Sequence, residues 1–188
     1  RRIWIGCATA LFLVLCVLPG AYMIGASFFT PDGSLTFSNY ARLLSEPRQR
    51  ELLLTTVTLG AAASAIATMI GVPLGFLLAR ANLPKVALLR IALLVPLVVP
   101  PYVFALVWIF LTGYSAISYS LPGAALVLGF GFYPLLMLAS EAAFRPVDAS
   151  LEEAALLITQ PRQVFIRITV PIVAPLVAAA GLLVFALS

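Results

Sequence analysis

The residue types able to do chemistry in this chain are few, and their spacing narrows them further. Its 188 residues include no His and two Cys, Cys7 and Cys16. At about 100° per residue, a separation of nine puts these thiols on opposite faces of a helix, so they cannot pair within it. Zinc, haem or Cys/His catalysis therefore has nothing to be built from, and the sequence predicts no metal site and no catalytic residue. The remaining groups are carboxylates set beside partners. Glu141 stands four residues before Arg145, the favourable order for a helical ion pair, which serves either as a structural brace or as a proton-relay step. Glu152 and Glu153 lie in a polar passage, Ser150 to Pro171, where Ser150-Leu151-Glu152-Glu153 fits a capping box: Ser150 accepts from a backbone N–H and Glu153 reaches back three residues.

The elements that must carry these groups are membrane helices. The chain is 63% hydrophobic and only 10% charged, with a mean hydropathy of +1.12, far from the roughly one-quarter charged residues of a soluble domain. Crossing about 30 Å of hydrocarbon takes roughly 20 apolar residues when every backbone polar group is satisfied within the helix, and the alternation of a barrel is absent. The fold class is all-α, a polytopic transmembrane helical bundle forming a single transmembrane domain over 1–188. Five spans are expected, at 3–29, 52–79, 91–112, 121–140 and 171–188. The chain starts without Met and stops inside an apolar run, so the sequence reads as a C-terminally truncated fragment. The first span is too long for the apolar region of a signal peptide and reads as an uncleaved helix.

With the amino terminus in the cytoplasm, eight Lys and Arg fall on the inner side and three on the outer, as the positive-inside rule requires. The loop at 148–170 then faces the cytoplasm. The net charge of +4 is accounted for by topology and anionic lipid, and no basic cluster alternates with aromatics as nucleic-acid binding would need.

Within that loop, Leu151, Ala154, Ala155 and Ile158 recur at i, i+3, i+4 and i+7, an apolar stripe with small residues at its centre. Pro161 disfavours helix at Gln160, and a second amphipathic piece with Val164, Phe165 and Ile168 is expected to lie on the membrane surface before the last span starts at Pro171. The passage is either a plain interfacial connector or a surface that touches a soluble partner. A second cluster, Pro96-Leu97-Val98-Val99-Pro100-Pro101-Tyr102, removes three backbone donors and must kink or break the third span. Freed carbonyls are tolerated in a membrane only beside protein or water, so Pro96, Pro100, Pro101 and Tyr102 either line a translocation path or mark a packing kink. Gly71, Gly75, Gly129 and Gly131 are further weak points, or sites of close helix packing. On the outer side, Phe37 to Leu44 reads as a short interfacial helix capped by Ser38.

Glu153-Ala154-Ala155, a turn, and then Val164-Phe165-Ile166-Arg167-Ile168-Thr169-Val170-Pro171 resemble the Glu-Ala-Ala loop of permease subunits of binding-protein-dependent type I ABC importers. With Asn39-Tyr40 and the run Pro96 to Trp108, the resemblance extends from about Phe37 to Ser188. It implies a coupling helix in which Leu151, Glu152, Glu153, Ala154, Ala155, Ile158, Thr159, Pro161 and Phe165 meet the ATPase. The family usually has Gly where this chain has Thr159, so either the turn differs in shape or coupling is altered. The implied partners are a dimeric cytoplasmic ATPase subunit, a periplasmic substrate-binding protein, and a second permease half, fused or separate. Membrane lipid surrounds the whole. ATP and Mg would sit on the ATPase, because this chain has no phosphate-binding loop and binds no cofactor of its own. The implied setting is the bacterial inner membrane. Val99 to Trp108 looks most like the iron(III) branch of the family. Thiamine, phosphonate, sulfate and polyamine permeases are alternatives, as is a non-transporting structural subunit.

Overall fold

The computed structural model describes residues 12–29, 34–81, 85–113, 115–147, 155 and 159–188. They form two compact units, Arg1–Leu54 and Thr55–Ser188. In the first unit a π-helical stretch, Leu13–Val17, runs into α1, Leu18–Ser27. The first eleven residues of the sequence, and with them the start of the expected span 3–29, lie outside the described residues. A short turn follows α1, closed by an antiparallel bridge between Phe29 and Leu35 and by the Thr36 N–H donating to the Phe28 carbonyl at 2.8 Å. Phe28 packs against Phe37 and Tyr40, with ring centroids 5.8 and 5.2 Å apart. Helix α2, Ser38–Ser45, is capped differently from the sequence expectation. Ser38 lies inside the helix, and its backbone N–H donates to Thr36 Oγ1 at 3.0 Å, so Thr36 supplies the capping oxygen.

Helix α3, Pro47–Arg80, passes from the first unit into the second. Then come α4, Val86–Val98; α5, Pro101–Thr112; α6, Leu121–Phe144; and α7, Pro161–Leu187. Helices α3, α6 and α7 are each long and apolar enough to cross a membrane, and α4 with α5 makes a fourth such span if the bent pair counts as one. The all-α, multi-pass membrane architecture follows directly.

In the second unit, α6 is the central helix. Over half of its residues are buried, from Gly123 to Phe144, so it is covered on more than one side. Small residues on α3 let the two backbones approach. Gly60, Ala63, Ala67, Gly71 and Gly75 form a buried stripe at three- and four-residue spacing, one face of a helix. A Cβ at Gly71 would lie 2.6 Å from the Tyr133 carbonyl, and one at Gly75 would lie 2.5 Å from the Met137 carbonyl. These are backbone obstacles that cannot rotate away. Gly129 does the same service from α6, since its Cβ would meet Ile66 at 2.6 Å. The core between these helices contains Ala67, Leu78, Tyr133, Leu136, Met137 and Val184. Helix α7 joins it through Ser64 Oγ, which donates to the Gly181 carbonyl at 2.8 Å.

One expected boundary is corrected. The amphipathic piece around Val164 and Phe165 is not a separate surface helix ending at Pro171. It is the first part of α7, which runs unbroken to Leu187 through a π-turn at Phe165–Thr169. The widened turn makes room for the Pro171 ring against the backbone one turn earlier, so the proline does not break the helix.

Candidate functional site

The bend between α4 and α5 organises the site. Val99, with φ −81° and ψ 121°, and Pro100, with φ −57° and ψ 139°, are extended, and the two helices meet at 87°. Pro100 and Pro101 cannot donate to the carbonyls one turn back, while the Pro101 ring suits the first turn of α5. Helix α5 ends on Gly113, whose left-handed φ of 65° lets its N–H return to the Ile109 carbonyl.

Each half of the broken helix rests on a different end of α6. At one end, Arg90 of α4 donates through Nε and Nη2 to the Glu141 carboxylate, with the Nε bond at 3.1 Å. The Tyr133 hydroxyl donates to the Leu93 carbonyl at 2.9 Å, one turn before Pro96. At the other end, Trp108 of α5 packs its indole nitrogen against Gly123, where a Cβ would lie 3.0 Å from Nε1. Gly123 and Glu141 are 18 residues apart in one helix, about 27 Å at 1.5 Å per residue, close to the thickness of the hydrocarbon core. The pair therefore climbs the full length of α6 as one broken span.

Between α5 and α6 lies a cavity of about 300 Å³, lined in part by Pro101, Tyr102, Trp108, Ser118 and Val127. Its walls are largely apolar. The polar groups at its edge are Ser118, whose Oγ is 2.6 Å from Thr112 Oγ1, and Trp108, whose buried Nε1 has no hydrogen-bond partner among the described residues. Of the four residues proposed from sequence as path-lining, Pro101 and Tyr102 line this cavity. Pro100 is exposed in the break, and Pro96 is half-buried within α4.

Glu141 is the one buried carboxylate among the described residues, its side chain 6% exposed. Arg145 also donates to it, at 2.7 Å, so the i, i+4 pair expected from sequence is present. The stronger partner, Arg90, lies 51 residues away in the chain. Local spacing carries no signal for a contact that distant. The sequence placed Arg90 only in a basic loop and gave Tyr133 no role.

Of the coupling-loop residues, Leu151, Glu152, Glu153, Ala154 and Ile158 lie outside the described residues. Ala155 is helical and half-buried, and its carbonyl accepts from the Thr159 N–H at 3.0 Å. Thr159 does not take positive φ. Its Oγ1 donates to Gln163 Oε1 at 2.5 Å, and the chain turns at Gln160, with φ −72° and ψ 148°, before Pro161 opens α7. The turn thus differs in shape from one that needs glycine. Phe165 stands edge-on to Phe76 of α3 at 5.8 Å, and Phe76 is in turn edge-on to Phe144 of α6 at 5.0 Å. The segment after the loop is therefore in direct contact with α3, which touches α6.

No family model matches the chain. Individual relatives do. The spermidine/putrescine transport system permease protein PotB of Salmonella typhimurium is 30% identical over 202 residues, covering 92% of this chain and 69% of the relative. The chain belongs to the permeases of ABC importers. Two further permeases extend the likeness. The molybdenum transport system permease protein ModB of Mycobacterium tuberculosis is 33% identical over 159 residues, 78% of this chain and 60% of the relative. A probable molybdenum ABC transporter permease protein of Haloferax volcanii is 27% identical over 172 residues, 85% of this chain and 64% of the relative. The chain thus spans about 60% of the length of the ModB relative it matches. The names of these permeases carry molybdenum or a polyamine, and none carries iron, so the iron(III) branch expected from Val99 to Trp108 is without support among them.

Proposed function

We propose that this chain is part of the permease subunit of an ATP-driven importer for molybdate or an oxyanion of the same shape. Two permeases whose names carry molybdenum, matching most of this chain, are the observation that carries the reading. The electrostatics favour an anion over the polyamine of the Salmonella relative. Among the described residues the only buried carboxylate is Glu141, already held by two guanidinium groups, which leaves little to attract a polycation.

In this reading the amino terminus is cytoplasmic, the membrane is the bacterial inner membrane, and a periplasmic binding protein delivers the anion. A second permease half completes the path. The loop from Leu151 to Thr159 sits against a partner ATPase that binds ATP and Mg. Closure of the ATPase moves the loop, and Phe165 carries that motion to Phe76 on α3 and on to Phe144 on α6. Helix α6 holds both halves of the broken span, so a shift of α6 alters the cavity beside Pro101 and Tyr102.

The test is site-directed crosslinking in the full-length protein, from Ala155→Cys to the co-expressed ATPase, with ATP-dependent uptake measured on Glu153→Lys. A crosslink together with lost uptake in an assembled complex is the expected outcome. Normal uptake by Glu153→Lys with no crosslink would return the loop to a plain connector.

A further inference from the structure

We propose that the cavity of about 270 Å³ lined by Arg90, Glu141 and Arg145, with Leu138 and Ala142, binds a tetrahedral oxyanion. The first reason is charge. Two guanidinium groups meet one carboxylate, so the cluster holds one more positive than negative charge. Glu141 is almost wholly buried, whereas Leu138, Ala142 and Arg145 are exposed, so the uncompensated cation meets an anion at an open, hydrated mouth and through direct contact with the guanidinium forks.

The second reason is donor count. Each guanidinium carries five N–H groups. Three of the ten donate to Glu141: Arg90 Nε, Arg90 Nη2 and Arg145 Nη2. Seven remain without a partner among the described residues, on two side chains that face one cavity. Planar guanidinium forks match the oxygen edges of a tetrahedral oxyanion in a bidentate manner that a Lys ammonium cannot reproduce. Arg145, with 55% of its side chain exposed, is free to swing onto an anion without leaving the cluster.

Glu141 fixes Arg90 and orients the fork; the anion bridges Arg90 to Arg145. That the bound anion is transported cargo pausing at the inner end of the path rests on the proposed function, whereas the site itself does not. The same chemistry is offered by the phosphate of a lipid headgroup.

The experiment uses the full-length permease complex in nanodiscs, without binding protein. Molybdate binding is measured by equilibrium dialysis, and retention of phosphatidylglycerol by native mass spectrometry. Arg145→Gln is expected to weaken binding about tenfold or more, the loss of one charge-assisted hydrogen bond. Arg145→Lys should fall between Arg145→Gln and the parent, and Lys85→Gln, an equal loss of charge at an exposed residue, should leave binding unchanged. Arg145-dependent binding of dialysable molybdate identifies a free anion as the ligand. Arg145-dependent retention of phosphatidylglycerol without molybdate binding identifies lipid phosphate. If neither depends on Arg145, or if Lys85→Gln weakens binding as much, the site is overturned. Separate uptake measurements keep the two readings apart: a protein that binds an oxyanion here but moves no molybdate refutes only the transport reading.

Discussion

Neutralising Glu141 should release α4, the half of the broken span that Arg90 anchors to α6. Its side chain is 6% exposed and that of Arg90 is 29% exposed, so the pair is largely withdrawn from water. Removing one partner of a buried pair leaves an uncompensated charge and costs about 3–5 kcal/mol. Arg90 keeps part of its hydration, which places Glu141→Leu near the low end, about 3 kcal/mol. Arg145 is more than half exposed, and its share of the cluster should be no more than about 1 kcal/mol. A double-mutant cycle separates the two. Unfolding free energies in detergent micelles would be measured for the parent, Arg90→Met, Glu141→Leu and the double variant, and in parallel for Arg145→Met. The double variant should recover most of the loss, because two apolar side chains leave no buried charge. A coupling between Arg90 and Glu141 below about 0.5 kcal/mol, or one no larger than that between Arg145 and Glu141, would refute the reasoning.

Other changes read out the same architecture. Gly75→Ala drives a Cβ to within 2.5 Å of the Met137 carbonyl and should cost about 1–3 kcal/mol in thermal or chemical unfolding, whereas Gly131→Ala, whose nearest obstacle is a Phe104 ring carbon at 4.0 Å, should be tolerated. Tyr133→Phe removes the bond to the Leu93 carbonyl and should cost about 1 kcal/mol in the same assay, a small change confined to the seat of α4. Thr159→Gly should slightly lower stability and leave uptake no better, because Thr159 already has negative φ and uses its hydroxyl on Gln163.

Much of this was legible in the sequence, because composition and apolar length suffice to specify membrane helices, and three prolines in six residues suffice to break one. Gly71, Gly75, Gly129 and Gly131 stood out in the sequence as weak points or close-packing sites, but only geometry showed that Gly71 and Gly75 meet backbone, while Gly131 meets almost nothing. Pro171 misled the boundary of α7, since a π-turn can absorb a proline that a regular helix cannot. Ser38 misled the cap of α2, since Thr36 lies close enough to take the same role. The clamp of Arg90 on Glu141 was out of reach, because helices far apart in sequence pair by packing, which leaves no local periodicity. The likeness at Val99 to Trp108 pointed toward iron for a related reason: a run of apolar residues and prolines records a helix break and carries no ligand chemistry.

The most direct test of the central claim is uptake. The full-length protein would be reconstituted in proteoliposomes with its ATPase and binding protein, and accumulation of labelled molybdate followed with and without ATP. ATP-dependent molybdate uptake, competed by tungstate and unaffected by spermidine or iron(III), is the predicted result. Uptake of spermidine or iron(III) in place of molybdate would contradict the account.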